Sequence, residues 1–174
     1  MDKMTKEQRS RCMAAIHGKN TRPEMLVRRF LFSQGFRYRV NDARLPGHPD
    51  IVLRKYRTVI FVNGCFWHGH EGCKGFVLPK SHPDFWKNKI ERNRKRDEEE
   101  LRLLAEMGWR CITIWECELK KNMREQTLAS LEKTLRDNIG GNGLQRFPRR
   151  KGKEKETDEL NIAAEASMPY RLDT

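Results

Sequence analysis

The 174-residue chain is long enough for one domain with a buried core and too short for two domains of ordinary size. It carries 36 lysines and arginines against 24 aspartates and glutamates, and this net charge of +12 points to phosphate-rich partners such as nucleic acids. Because it shows neither a signal-peptide pattern nor an 18-residue apolar run, we expect a cytoplasmic protein without a membrane segment.

The positive charge belongs to the first 140 residues. Residues 1–140 contain 29 basic and 18 acidic side chains, a balance of +11, whereas residues 141–174 contain seven and six, a balance of +1. The second segment is polar and has no sustained periodicity, as is typical of disordered chain. We therefore predict a single domain over residues 1–140 and a polar, disordered tail over residues 141–174.

The first half of the domain begins with helical patterns and continues with strand patterns. A first helix is predicted over roughly Lys6–Ile16. A second helix is predicted to begin after Thr21, its N-cap, to carry Pro23 in its first turn and to end at Gly35. Three short runs typical of strands follow, at Phe36–Val40, Asp50–Leu53 and Thr58–Val62.

The second half predicts a long helix, a buried strand and a last helix. The long helix is expected to be capped by Ser81 and stopped by Gly108. The apolar run "WRCITIWEC" follows as a strand, and a helix carrying Leu128, Leu131 and Leu135 closes the domain at Gly140. This order of elements predicts an α/β fold in which a central mixed sheet is flanked by helices.

A loop rich in cysteine and histidine follows the third predicted strand. Cys65, His70 and Cys73 offer three ligands there, and Cys117, which ends the fourth strand, is the candidate for a fourth. A Cys3His set suits tetrahedral Zn²⁺ in a structural site. The spacing leaves two alternatives open, namely that His68 replaces Cys117 as a ligand, or that the cysteines are buried thiols beside an incidental histidine.

Two carboxylates and one imidazole are candidates for chemistry at a phosphate. Asp50 begins a strand directly after Pro49, a position where a carboxylate can bind Mg²⁺. Glu24 lies three residues after Thr21, so it also fits a capping box, in which it serves only to accept a backbone N–H. If His68 is not a zinc ligand, its imidazole suits activation of a water molecule.

Three aromatic side chains have positions that favour a surface role. Phe66 and Trp67 lie between the predicted zinc ligands, where a pinned backbone keeps both rings from turning inward, and Trp86 lies near the start of the long polar helix. Rigidly held aromatic rings can insert between the stacked bases of DNA. Trp109 and Trp115, beside or within a buried strand, are instead expected in the core.

Four sequence blocks resemble the very-short-patch repair endonuclease family: "LPGHPDIVL", "TVIFVNGCFWHGH", the "FW" pair at 85–86 and "GWRCITIWEC". The resemblance runs in order from about Met4 to Asn138, and its most specific block is Gly64–His68. It implies a restriction-endonuclease-like fold with a structural zinc site. It also implies an enzyme that nicks DNA 5′ to the T of a T:G mismatch arising from deaminated 5-methylcytosine.

The resemblance further implies roles for individual residues. Asp50 and the backbone carbonyl of Val62 would bind catalytic Mg²⁺, Glu24 would hold its water molecules, and His68 would be the general base. The structural Zn²⁺ would be bound by Cys65, His70, Cys73 and Cys117. The predicted DNA contacts are the aromatic wedge of Phe66, Trp67 and Trp86, the helix residues Met13 and Ile16, and Asn63. Where some members have a histidine, Asn63 can donate a hydrogen bond to a phosphate but carries no charge.

Three functions therefore remain open. The first is a Mg²⁺-dependent nickase that acts as a monomer on double-stranded DNA with a T:G mismatch, with mismatch-repair proteins as candidate partners. The second is a related Mg²⁺-dependent endonuclease that has a different target. The third is a zinc-stabilised DNA-binding protein without catalysis, which would need neither Asp50 nor His68.

Overall fold

The computed structural model describes residue 5, residues 7–8 and 10–11, and residues 18–137. Most of the predicted first helix lies outside these residues, including Met13 and Ile16. The end of the last helix at Gly140 and the predicted tail also lie outside them.

The elements within residues 18–137 form an α/β unit. In chain order they are α1 (Arg22–Ser33), β1 (Arg39–Val40), β2 (Ile51–Leu53), β3 (Thr58–Asn63), α2 (Pro83–Glu106), β4 (Arg110–Trp115) and α3 (Arg124–Asp137). Short 3₁₀ turns at Arg54–Tyr56 and Glu116–Leu119 follow β2 and β4. In the described part of the chain, no helix combines the length and the apolar character needed to cross a bilayer.

The four strands form one mixed sheet in the order β1-β2-β3-β4. Strand β2 runs antiparallel to both β1 and β3, and Ile51 pairs with Ile60. Strands β3 and β4 are parallel, because the long helix α2 carries the chain back between them, and Asn63 pairs with Trp115 at their shared end. This topology confirms the predicted mixed sheet flanked by helices.

Helices cover both faces of the sheet, so its central strands are buried on both sides. One apolar cluster joins α1 and α3 to one face, through residues such as Leu31, Leu135 and Ile60. A smaller cluster packs Leu104 of α2 against Val59 and its neighbours on the other face. Because successive strand residues point to opposite faces, both layers hold β3 in place, and its end is fixed for the loop that follows.

The bounds of α1 follow the predicted signals. The hydroxyl oxygen of Thr21 accepts the Glu24 backbone N–H at 3.4 Å, and Gly35 adopts a left-handed φ of +82° after the last turn. The following strand is shorter than predicted, because the Phe36 backbone N–H bonds the Leu31 carbonyl and closes the helix. Only Arg39–Val40 then pairs with β2.

The start of α2 differs from the prediction. Ser81 does not cap the helix, since His82 occupies the N-cap position with a left-handed φ of +53° and forms no capping hydrogen bond through its side chain. Pro83, whose ring favours the first helical turn, begins the helix instead. The predicted stop is confirmed, because Gly108 has a φ of +75° just after the helix ends.

Candidate active site and metal centre

An open cleft of about 760 Å³ lies where the start of β2 meets the end of β3. Its lining brings together five residues predicted for the site: Glu24, Asp50, Val62, Asn63 and His68. Trp67 lies on the same lining, together with several residues that the sequence did not single out: His48, Arg96, Asp97, Glu100 and Glu116. The antiparallel pairing of β2 and β3 explains the first grouping, because residues 12 positions apart become neighbours at this edge.

Asp50 is a partly buried carboxylate fixed to the neighbouring strand. Its Oδ2 accepts the backbone N–H of Val62 at 2.7 Å. Burial raises the pKa of Asp50 to about 6; the Val62 hydrogen bond and the charges of Arg28 and His68 act against this, whereas Glu24 adds to it. A hard divalent cation would stabilise the negative charge of a buried carboxylate that lies beside a second carboxylate.

Glu24 lies at the first turn of α1 and is only 3% exposed. Its Oε1 accepts the Thr21 hydroxyl at 2.8 Å, and its Oε2 accepts the Asn20 backbone N–H at 2.9 Å and the Arg28 guanidinium at 3.1 Å. Glu24 therefore accepts a backbone N–H before the helix, as the capping interpretation predicts, although the donor is Asn20 and not the N-cap residue Thr21. The same carboxylate lines the cleft, so capping and a role in the site are compatible.

His68 is paired with an aspartate that the sequence did not single out. Its Nδ1 lies 2.5 Å from Oδ2 of Asp97, which is on α2. Burial raises the pKa of Asp97, but the hydrogen bonds and charges of His68 and Arg96 outweigh burial and hold it below its usual value. An ionised carboxylate only accepts hydrogen bonds, so Nδ1 carries a proton and Nε2 is the basic nitrogen of the neutral ring.

The four predicted zinc ligands come together beside this cleft. One ligand atom from each of Cys65, His70, Cys73 and Cys117 lies within 4.8 Å of all the others. The Nδ1 atom of His70 is 3.6 Å from Sγ of Cys65 and 3.4 Å from Sγ of Cys117. Metal–ligand bonds of tetrahedral zinc would place sulfur and nitrogen about 3.6 Å apart, so the set fits a metal such as zinc.

The surroundings of the ligand set are also fitted to it. Gly75 leaves space that a side chain would fill, since an added Cβ would lie 3.2 Å from Cβ of Cys65, and its backbone N–H donates to Sγ of Cys73 at 3.3 Å. The His70 ring stacks on Trp115 with centroids 4.1 Å apart. Trp115 is therefore not the simple core residue that we predicted, because one face of its half-buried ring supports a ligand.

His68 is not part of this group, which removes the alternative in which it replaces Cys117. Its Nδ1 faces Asp97, and its backbone N–H bonds the Gly64 carbonyl within the turn that leads into the ligand loop. The turn thus directs His68 and His70 to different partners. Burial, with the neighbouring thiols, raises the pKa of the Cys117 thiol to about 12, and bound metal would reverse this by favouring the thiolate.

Phe66, Trp67 and Trp86 form an aromatic cluster next to the cleft. The Phe66 ring contacts the other two at centroid distances of 5.2 and 5.3 Å, and the two indoles are 6.1 Å apart. All three side chains are half-buried and lie outside both apolar core clusters. Asn93 fixes the loop by donating its side-chain N–H to the Trp67 carbonyl at 2.9 Å.

Phe85, to which the sequence pattern assigns no role, extends the aromatic cluster toward solvent. Its ring contacts Trp86 at 5.3 Å, yet 57% of its surface is exposed. The available signal was its place directly before Trp86 in the first turn of a polar helix. An exposed phenylalanine joined to half-buried rings enlarges the apolar surface that a planar ligand could meet.

The sequence of the chain is similar to those of known endonucleases. A sequence profile described as "DNA mismatch endonuclease Vsr" matches residues 1–74. The DNA mismatch endonuclease Vsr of Escherichia coli strain K12 is 41% identical over 138 residues, which cover 79% of this chain and 87% of the relative. The chain belongs to the DNA mismatch endonuclease Vsr family. This membership confirms the predicted resemblance.

Two further relatives are nicking enzymes. The type II nicking enzyme V.NmeAIP of Neisseria meningitidis is 50% identical over 139 residues, 79% of this chain and 99% of the relative. The type II nicking enzyme V.XorIIP of Xanthomonas oryzae is 47% identical over 136 residues, 78% of this chain and 95% of the relative. As a Vsr family member the chain is a mismatch endonuclease, a hydrolase with the restriction-endonuclease-like fold.

Proposed function

We propose that this Vsr family member nicks double-stranded DNA 5′ to the T of a T:G mismatch and thereby starts very-short-patch repair. The observation that carries the proposal is the juxtaposition of two surfaces. A cleft holding Asp50, Glu24 and His68 adjoins the aromatic cluster, and Trp67 belongs to both. The net charge of +12 favours association of such a surface with DNA.

The oxygen-rich end of the cleft fits a hard cation such as Mg²⁺. Asp50 and the backbone carbonyl of Val62 would bind it, and Glu24 would hold its water molecules. Burial of Asp50 near the Glu24 carboxylate concentrates negative charge there, which supports this assignment. Bound at this position, Mg²⁺ supplies neutralisation of the charge that develops on the scissile phosphate.

His68 would act as the general base. Nε2 of the neutral imidazole would accept a proton from the attacking water, and the ring would become positively charged. Asp97 then serves two purposes through the 2.5 Å contact with Nδ1: it fixes the orientation of the ring, and its negative charge stabilises the imidazolium.

The ligand set beside the cleft would hold structural Zn²⁺ and keep the aromatic cluster rigid. Closed Cys3His sites stabilise folds and leave no open coordination position for substrate. Rigid support matters because rings inserted at a mismatch must offset the free energy of unstacking bases. Asn63 would donate a hydrogen bond to a phosphate, and Met13 and Ile16 would contact the other groove.

Residues 1–140 would form the nuclease unit, acting as a monomer in the cytoplasm. Residues 141–174 carry a balance of only +1, so they would add little to the attraction for DNA. A chain ending at residue 140 should then nick mismatched DNA at the rate of the full chain. A slower truncated chain with an unchanged melting temperature would show that the tail takes part.

The direct test compares nicking of a T:G duplex with nicking of its T:A counterpart, in Mg²⁺ and with each strand labelled separately. We expect cleavage of the T strand of the mismatched duplex, 5′ to the T. Asp50→Ala should abolish cleavage while mismatched-duplex binding is retained. Equal cleavage of both duplexes would contradict mismatch recognition, and full activity of Asp50→Ala would contradict the assigned site.

A related nickase with a different target is the second candidate. It is favoured by the relatives at 50% and 47% identity, both of which are described as type II nicking enzymes. A panel of T:G duplexes that vary the flanking base pairs, together with other mismatches, distinguishes the two. Preference for T:G in one flanking context supports the first candidate, and preference for another mismatch supports the second.

A further inference from the structure

Arg28 is a buried cation directly below the candidate active site. It lies on α1, one turn after Glu24, and is only 1% exposed. Its position falls on the buried face of the helix, between the core residues Val27 and Leu31. Burial of a guanidinium is unfavourable unless hydrogen-bond acceptors compensate for the lost water.

The Arg28 guanidinium joins three separate segments of the chain. Its Nη1 donates to the Asn20 side-chain oxygen at 2.6 Å, in the turn before α1. Its Nη2 donates to Oε2 of Glu24 at 3.1 Å and to the backbone carbonyl of Asp50 at 3.2 Å. The last contact spans 22 positions and connects the helix layer to the residue that precedes β2.

We propose that Arg28 is a positioning residue that fixes the Glu24 carboxylate and the Asp50 backbone relative to each other. This inference rests on the proposed function, in which both residues serve one divalent cation. A planar guanidinium donates in fixed directions, so the two N–H groups of Nη2 define where the Glu24 and Asp50 oxygens lie, while Nη1 is held by Asn20. Lysine keeps the charge but offers a single flexible ammonium group, and it cannot reproduce these contacts together.

The test variant is Arg28→Lys in the full chain, compared with Arg124→Lys as a control for the same substitution at an exposed position. Arg124 also donates from its side chain to a backbone carbonyl, that of Leu119 at 3.2 Å, but it lies outside the cleft lining. For each protein we would measure Mn²⁺ binding by EPR in the absence of DNA, the Mg²⁺ concentration for half-maximal nicking, mismatched-duplex affinity without divalent ions, and the melting temperature.

For Arg28→Lys we expect Mn²⁺ affinity to fall about tenfold or more, with a matching rise in the half-saturating Mg²⁺ concentration. Duplex affinity should stay at the value of the unmodified protein, because Arg28 is buried and not available to DNA. Arg124→Lys should match the unmodified protein in both metal measurements. An Arg28→Lys protein with unchanged Mn²⁺ affinity and unchanged Mg²⁺ dependence would overturn the proposal, as would a loss of activity that only follows a lowered melting temperature.

A milder variant covers the case in which Arg28→Lys does not fold. Asn20→Gly removes the side-chain acceptor of Arg28 Nη1 but keeps the backbone N–H that bonds Glu24. Glycine also tolerates the left-handed φ of +57° at this position. A smaller loss of Mn²⁺ affinity in the same direction supports the inference, and unchanged affinity counts against it.

The assigned active site and the positioning role of Arg28 can be refuted separately. If Asp50→Ala nicks DNA at the normal rate, the assigned active site is wrong and Arg28 has nothing to position. If Asp50→Ala is inactive while Arg28→Lys and Asn20→Gly bind Mn²⁺ normally, the active site stands and only the positioning role fails.

Discussion

Replacing Asp50 by asparagine should make the protein more stable and inactive at the same time. The carboxylate is partly buried, and its pKa is raised from 3.8 to about 6. Asparagine has nearly the same shape and can still accept the Val62 backbone N–H, and Arg28 bonds the backbone carbonyl of residue 50 and not its side chain. The substitution therefore removes the buried charge and leaves the surrounding contacts in place.

The size of the effect follows from the two pKa values. Below pH 3.8 the carboxyl is protonated in both the folded and the unfolded chain, so it contributes no difference. As pH rises from 3.8 to 6, the unfolded chain loses its proton first, and the folded state is destabilised. Above pH 6 the effect saturates at about 3 kcal/mol, since one pKa unit corresponds to ~1.4 kcal/mol.

Chemical denaturation in magnesium-free buffer would measure this advantage. The unfolding free energy of Asp50→Asn should exceed that of the unmodified protein by about 3 kcal/mol at pH 7.5 and by roughly half as much at pH 5. Asp137→Asn, at the exposed end of α3, is the control and should change stability by less than about 0.5 kcal/mol. An Asp50→Asn advantage that is absent, or the same at pH 5 and pH 7.5, would refute this account of the site.

Four further outcomes are expected. Asp97→Asn should slow single-turnover nicking about 10²-fold at unchanged duplex affinity, because His68 loses the partner that orients it; an unchanged rate would show that the pair is structural. Cys117→Ser should lower the bound zinc measured by atomic absorption and the melting temperature together, and full retention of zinc would remove this cysteine from the ligand set. Trp67→Ala should reduce discrimination between T:G and T:A duplexes more than it slows the cleavage step, whereas a loss of ~3–5 kcal/mol in unfolding free energy would mark a core residue. Duplex affinity should fall steeply between low and high salt because bound basic residues release counterions from phosphates, and a flat salt dependence would exclude this electrostatic contribution.

The buried charge of Asp50 is a thermodynamic disadvantage for the folded chain. The raised pKa of Asp50 reflects burial of charge that the fold alone does not need. Under the proposed function, a bound cation would make this charge favourable, and the lost stability would then be offset by binding. The buried Arg28 offsets part of this disadvantage, since its charge lowers the pKa of Asp50.

Local sequence signals were sufficient wherever the deciding interaction spans a few residues. Thr21 as N-cap and Gly35 and Gly108 as helix stops follow from backbone preferences of single residues, and the structure places them as predicted. The Cys3His set could also be predicted from the sequence, because three ligands lie within nine residues and their chemistry limits the choice of a fourth. The prediction for Ser81 failed because Pro83, two positions later, defines the first turn of α2.

The partners of the reactive groups could be learned only from the folded chain. His68 and Asp97 are 29 positions apart, and Arg28 and the Asp50 carbonyl are 22 apart. Hydropathy periodicity specifies which face of an element is buried, but it does not specify which residues of two elements meet. The sequence alone determined the ligand types and the helix ends, because both depend on interactions between residues close together in the chain. The pairing of distant charges depends on how strands and helices pack, and only that packing brings Asp97 and Arg28 to the site.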